Sequence, residues 1–140
     1  MIKGKLFFEI LDEFQKAETK AERIAVLKKY DDPRFRTFLV YALEPTIQFD
    51  VEIPNYRPAV EPAGLNFTYL DSEMPKAYRF IKDHQNRPVG LTQEKQRSLL
   101  VVILESLHKD EAELFVKMIK KDLGIKHLTK KLVQEAYPGM

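Results

Sequence analysis

An all-α fold is what this sequence predicts, in the form of a compact multi-helix domain, and three observations predict it. Apolar residues return at three- and four-residue steps through most of the chain. Helix-start chemistry recurs at Thr19, Asp32-Pro33, Ser72, Thr92 and Thr129. The first three helical stretches are joined by turns too short for alternating strands and crossover helices. With 140 residues, 44% of them hydrophobic and 31% charged, the chain predicts one soluble domain spanning 1–140. Embedded in it, residues 45–71 predict a proline-rich extended arm or a short β element.

The first helix falls within residues 5–15, where Leu6, Phe7, Ile10, Leu11 and Phe14 share a side and Glu9, Asp12 and Glu13 lie elsewhere. Thr19 with Glu22 forms a capping-box pattern and opens the second. Asp32-Pro33 opens the third, because proline is tolerated in a first turn where its missing N–H has no partner anyway; Phe35, Phe38, Leu39 and Ala42 form its buried face.

Four prolines between Pro45 and Pro62 then forbid a continuous helix. Ile47, Phe49, Val51 and Ile53 alternate with polar residues in a strand-like period, and the stretch 66–70 is the available partner. Helical periodicity resumes over 72–83, with Ser72 as cap and Pro75 in the first turn. From Thr92 to Leu107 almost no polar side remains after Ser98, which predicts a central helix surrounded by its neighbours. Leu114, Phe115, Met118 and Ile119 form the stripe of the next helix, for which Gly124 is the expected C-cap. The last helix starts at Thr129 or near Lys126 and ends before Pro138.

Several chemistries are excluded or unsupported. There is no cysteine, so disulfides, thiolate catalysis and Cys-rich zinc sites are excluded. His84, His108 and His127 lack metal-ligand spacing, and no catalytic constellation is complete, so the expectation is no enzyme, no metal and no cofactor. The amino terminus acquires acids too early for a signal peptide, and no apolar run reaches membrane length, so a cytoplasmic protein is expected.

Charge is informative locally. Net charge is only +2, yet from Lys117 to Lys131 six lysines face one acid, Asp122. A helix end, a glycine turn and a new helix start there bring lysines to exposed backbone N–H groups, the ingredients of a phosphate site. The candidate nucleic-acid residues are Lys117, Lys120, Lys121, Gly124, Ile125, Lys126, Lys130 and Lys131. The candidate partner-binding arm is Phe49, Ile53, Tyr56 and Arg57.

Two resemblances bear on these residues. The run Val116-Lys117-Met118-Ile119-Lys120-Lys121-Asp122-Leu123-Gly124-Ile125, with Leu132-Val133 and Ala136-Tyr137-Pro138, resembles the end of the helical amino-terminal DNA-binding domain of ATP-dependent DNA ligases. That resemblance implies contact with duplex phosphates across the minor groove, without base reading. The chain departs from a whole ligase in lacking the Lys-x-Asp-Gly nucleotidyltransferase setting. Over nearly its full length, through the Lys-Ala-Glu-Arg helix, Asp-Asp-Pro, Tyr-Arg-Pro and Leu-Thr-Lys-Lys, it is similar to small proteins of T4-like tailed phages. Together these imply an accessory protein of phage DNA metabolism in the host cytoplasm, with double-stranded DNA, nicked duplex included, as partner. The alternative expectation is an adaptor for a phage or host replication or transcription protein.

Overall fold

The computed structural model describes residues 1–139. Among them run seven α-helices: α1 (Phe7–Lys16), α2 (Lys20–Lys29), α3 (Pro33–Leu43), α4 (Leu70–Glu73), α5 (Gln93–Ser106), α6 (Lys109–Ile119) and α7 (Lys130–Ala136). A 3-10 segment, Met74–Phe80, continues from α4. No helix is long and apolar enough to cross a membrane among the described residues.

The helix starts follow local cap chemistry. The N–H groups of Glu22, Arg34, Lys95 and Leu132 donate to the side chains of Thr19, Asp32, Thr92 and Thr129 at 3.2, 2.9, 3.2 and 3.2 Å. Each such bond occupies a donor that the helix itself leaves unpaired, an effect of about 1 kcal/mol. Thr129, not Lys126, therefore opens α7. Helix α6 is capped by His108, whose Nδ1 accepts the Asp110 N–H at 3.0 Å while its ring stacks on Phe8 at 4.8 Å.

Helix α6 occupies the middle of the domain, packing against α1, α3, α4 and α5 and burying Ala112, Phe115 and Met118. Around it Phe7 meets Phe35 edge-on at 5.1 Å and Phe38 at 5.3 Å, and Phe80 meets Phe115 edge-on at 6.3 Å. The central position expected of α5 thus belongs to α6. Helix α5 buries Gln96, Leu100, Ile103 and Leu104, but its outer side leaves Val102 65% exposed. A continuous apolar run does not reveal which of its residues lack a neighbour.

The expected β element is corrected: no β-strand forms among the described residues. Phe49 and Ile81 make one isolated antiparallel bridge, in which the Asp50 N–H donates to the Phe80 carbonyl at 3.0 Å and the Lys82 N–H to the Gln48 carbonyl at 2.8 Å. Pro54, Pro58 and Pro62 carry no N–H, and the stretch offered as a partner turns into α4 at Leu70, so no ladder can extend. The alternation still sorts side chains, with Phe49, Val51 and Ile53 packed on the core and Gln48 and Glu52 exposed. The helix expected from Ser72 starts instead at Leu70 and tightens after one turn into the 3-10 segment. Pro75, lacking an N–H and crowding the preceding turn, stops α-helical bonding there.

The carboxyl-terminal end is tied back to the start of the bundle. The buried Tyr137 hydroxyl donates to the Leu27 carbonyl, and the Arg36 guanidinium lies 4.4 Å from the Tyr137 ring centroid while gripping Asp31 with two nitrogens. Burial pushes the Tyr137 phenol well above its ordinary pKa, so it remains a donor. Replacing Tyr137 with Phe removes that bond and strands a buried carbonyl near the end of α2. We expect a loss of about 1–2 kcal/mol in urea unfolding; an unchanged midpoint would show that the hydroxyl contributes nothing there.

Candidate nucleic-acid interface

The basic stretch opens where α6 ends. The Lys121 N–H donates to the Met118 carbonyl and the Asp122 N–H to the Lys117 carbonyl, both at 3.0 Å, a Schellman closure. Lys121, at φ +60°, is the left-handed residue of that closure, so the C-cap expected at Gly124 lies three residues earlier. Gly124 is itself left-handed, φ +66°, within the connecting loop. A Cβ there would meet no atom within 4 Å, so glycine is favoured by conformation rather than by lack of space. His127 is the third left-handed residue, φ +71°. Buried Leu123 and Leu128 and half-buried Ile125 pin the loop to the core, leaving Gly124, Lys126 and His127 exposed.

The eight candidate residues do not share one role. Lys121 is half-buried, and its ammonium donates to the carbonyls of Tyr41 and of Glu44, the latter at 2.8 Å. Those carbonyls end α3, whose last turn contains no basic residue of its own. Desolvation holds the Lys121 pKa below its ordinary value, with the nearby Glu44 opposing. Lys130 pairs with the same Glu44 at 2.6 Å, and that contact, with hydrogen bonds from Thr46, lowers the Glu44 pKa. Two candidate lysines therefore join α6 and α7 to the end of α3. Lys117 rests on Glu113, one turn back, at 3.5 Å. Ile125 packs its side chain on the core.

Lys120, Lys126 and Lys131 remain exposed, and none has a carboxylate within ion-pair distance among the described residues. The fold adds a base that sequence spacing could not supply, since α2 packs beside α7 and brings Arg23 to His127. Desolvation first, then the positive charges of Arg23 and Lys126, lower the His127 pKa, marking a locally positive surface.

Three of the four arm candidates pack inward. Phe49 meets Tyr41 edge-on at 6.1 Å, and Ile53 and Tyr56 are packed on the core. Burial, then the nearby Glu113, raises the Tyr56 pKa. Arg57 is exposed, its backbone N–H donating to Glu105 at 2.8 Å. Sequence reasoning missed Val60, Leu65 and Phe67, which are 92%, 71% and 98% exposed. Their available signal was the interleaving of Pro58, Pro62 and Gly64, which denies them a common buried face.

Among the described residues, no group of three or more His, Asp or Glu side chains is placed to hold a metal ion. His84 accepts the Asn86 N–H at 3.1 Å, His108 caps α6, and His127 sits beside Arg23.

No curated protein and no solved structure matches the chain. A family model described as a family of unknown function (DUF6433) matches residues 10–125, ending just before Lys126 and α7. Because that match spans well over half of the 140 residues, the chain belongs to the DUF6433 family.

Proposed function

We propose that this protein is a DNA-binding accessory module that holds the phosphates of a duplex on the turn between α6 and α7, without reading bases. The observation that supports the reading is that Lys120, Lys126 and Lys131, at or near the turn between α6 and α7, are exposed and free of acid partners among the described residues, with Arg23 beside His127. Lys121 and Lys130 stiffen the turn rather than touch the ligand. In this reading the protein acts in phage DNA metabolism, in the host cytoplasm, with intact or nicked duplex as its partner. Phosphate contacts fix position and carry no sequence information, so affinity falls steeply with salt and varies little with sequence.

The test is fluorescence anisotropy with intact and nicked duplexes across a salt series. Lys126→Glu combined with Lys131→Glu is expected to lower affinity by about tenfold or more and to reduce the steepness of the log–log salt dependence by about two. Both side chains are exposed, so the unfolding midpoint stays near that of the wild type. A folded double variant with unchanged affinity and salt dependence overturns the proposal. Substitutions of Phe49, Ile53 or Tyr56, by contrast, disturb packing before they report on any partner.

A further inference from the structure

We propose that loop 57–67 is a self-association surface through which two copies of this chain form a two-fold dimer. The loop is held at both ends near the last turn of α5, where the Arg57 N–H donates to Glu105 at 2.8 Å and the Thr68 N–H to the Ser106 carbonyl at 3.1 Å. Between these anchors it is stapled internally: the Leu65 N–H donates to the Pro62 carbonyl at 3.1 Å and the Tyr69 hydroxyl to the Gly64 carbonyl at 2.8 Å. A projecting loop is thereby preorganised, which limits the ordering cost of docking.

Its polarity is reversed for an isolated monomer. Val60, Leu65 and Phe67 stand in solvent, while Asn66 between the latter two turns inward, where neither amide atom finds a hydrogen-bond partner. On α5, Val102 is exposed as well, one turn before the anchoring Ser106. Summed over the four residues, the exposed surface is on the order of 500 Å², enough for the apolar centre of a small interface. A stable interface takes about 800 Å² from each partner, so the apolar centre needs only a modest polar rim.

The rim points to a second copy as the occupant. Arg57 lies at the loop's entry and Glu61 near its tip; both are exposed, and neither takes part in an ion pair among the described residues. An apolar centre with one base and one acid has no net charge to attract a polyanion. One base and one acid permit self-complementarity: in the proposed dimer the two-fold axis sets Arg57 of each copy against Glu61 of the other. The loop's anchors are on the last turn of α5, which leads into the start of α6, whereas the basic turn follows the end of α6. Dimerisation therefore leaves both basic turns open.

Sedimentation velocity without nucleic acid, from low micromolar to near-millimolar protein, separates this proposal from the DNA reading. Wild type is expected to pass from monomer to dimer, and Phe67→Ser to remain monomeric with an unchanged unfolding midpoint, since that ring touches solvent on nearly every side. Arg57→Glu and Glu61→Arg are each expected to weaken association by about tenfold or more, by setting like charges together twice. An equimolar mixture of the two restores dimers, because each chain then meets its opposite. Wild type that stays monomeric throughout, a Phe67→Ser dimer, assembly beyond a dimer, or a mixture no stronger than its components overturns the proposal.

Discussion

Lys121→Glu is expected to destabilise the folded protein by about 3 kcal/mol or more, although a lysine beside a glycine turn looks like a surface charge. The ammonium donates to the Tyr41 and Glu44 carbonyls at the end of α3, which no basic residue in that helix's own last turn reaches. It thus supplies two charge-assisted hydrogen bonds and a positive charge at the negative end of the helix dipole. Glutamate cannot donate to either carbonyl and adds repulsion from the dipole and from the Glu44 carboxylate. Lys121→Met removes the charge without introducing repulsion and is expected to cost about 2 kcal/mol. Urea unfolding with an unchanged m-value measures both losses. A Lys121→Glu midpoint equal to wild type would show that Lys121 does not brace the end of α3.

This separation governs how DNA-binding losses are interpreted. A charge-reversal series that includes Lys121 or Lys130 loosens the scaffold together with any phosphate contact, because both lysines converge on Glu44. Lys120, Lys126 and Lys131 probe the surface alone. All six lysines look equivalent in the sequence, because a one-dimensional charge run does not contain the carbonyls of a helix some eighty residues earlier.

The same distinction explains which parts of the fold were legible. Thr19, Asp32-Pro33, Thr92 and Thr129 were identifiable as helix starts because a cap bond spans only two or three residues. The apolar stripes of α1, α3 and α6 were legible because period alone selects their buried faces. Failures arose where distant groups decide. Alternation at Ile47–Ile53 could not reveal that no second strand would arrive, and the apolar run of α5 could not reveal that Val102 would lack a neighbour. Lys121 displaced Gly124 as the left-handed closing residue of α6, and its side-chain contacts with the end of α3 offset the cost of that conformation. For the candidate site, the lysine cluster was visible, whereas the contribution of Arg23 required α2 to pack beside α7.

Glu111 supplies the second large expected effect, a pH dependence of stability that Glu111→Gln removes. The carboxyl group is buried at the junction of α1, α4 and α6, where it accepts the Leu70 N–H at 3.1 Å and the Phe7 N–H also favours its charged form. Asp71 stands close and adds negative potential, while the amino-terminal ammonium, paired with Asp71 at 2.8 Å, partly offsets it. Desolvation dominates, moving the Glu111 pKa from 4.5 to about 7 despite the opposing backbone N–H groups of Leu70 and Phe7. Between those values the native state holds a proton that the unfolded chain has released, so stability falls as pH rises. The full contribution is present below about pH 4.5 and is lost as pH climbs through about 7, for a total of roughly 3 kcal/mol. Glutamine retains an acceptor and cannot ionise. The variant is therefore expected to gain stability relative to wild type progressively from pH 5 to pH 8, whatever constant offset the substitution introduces, as followed by urea unfolding at each pH. A wild-type-minus-variant difference that is flat across this range, or that grows in favour of wild type, would mean that Glu111 is already ionised in the native protein and that the backbone N–H groups facing it outweigh burial.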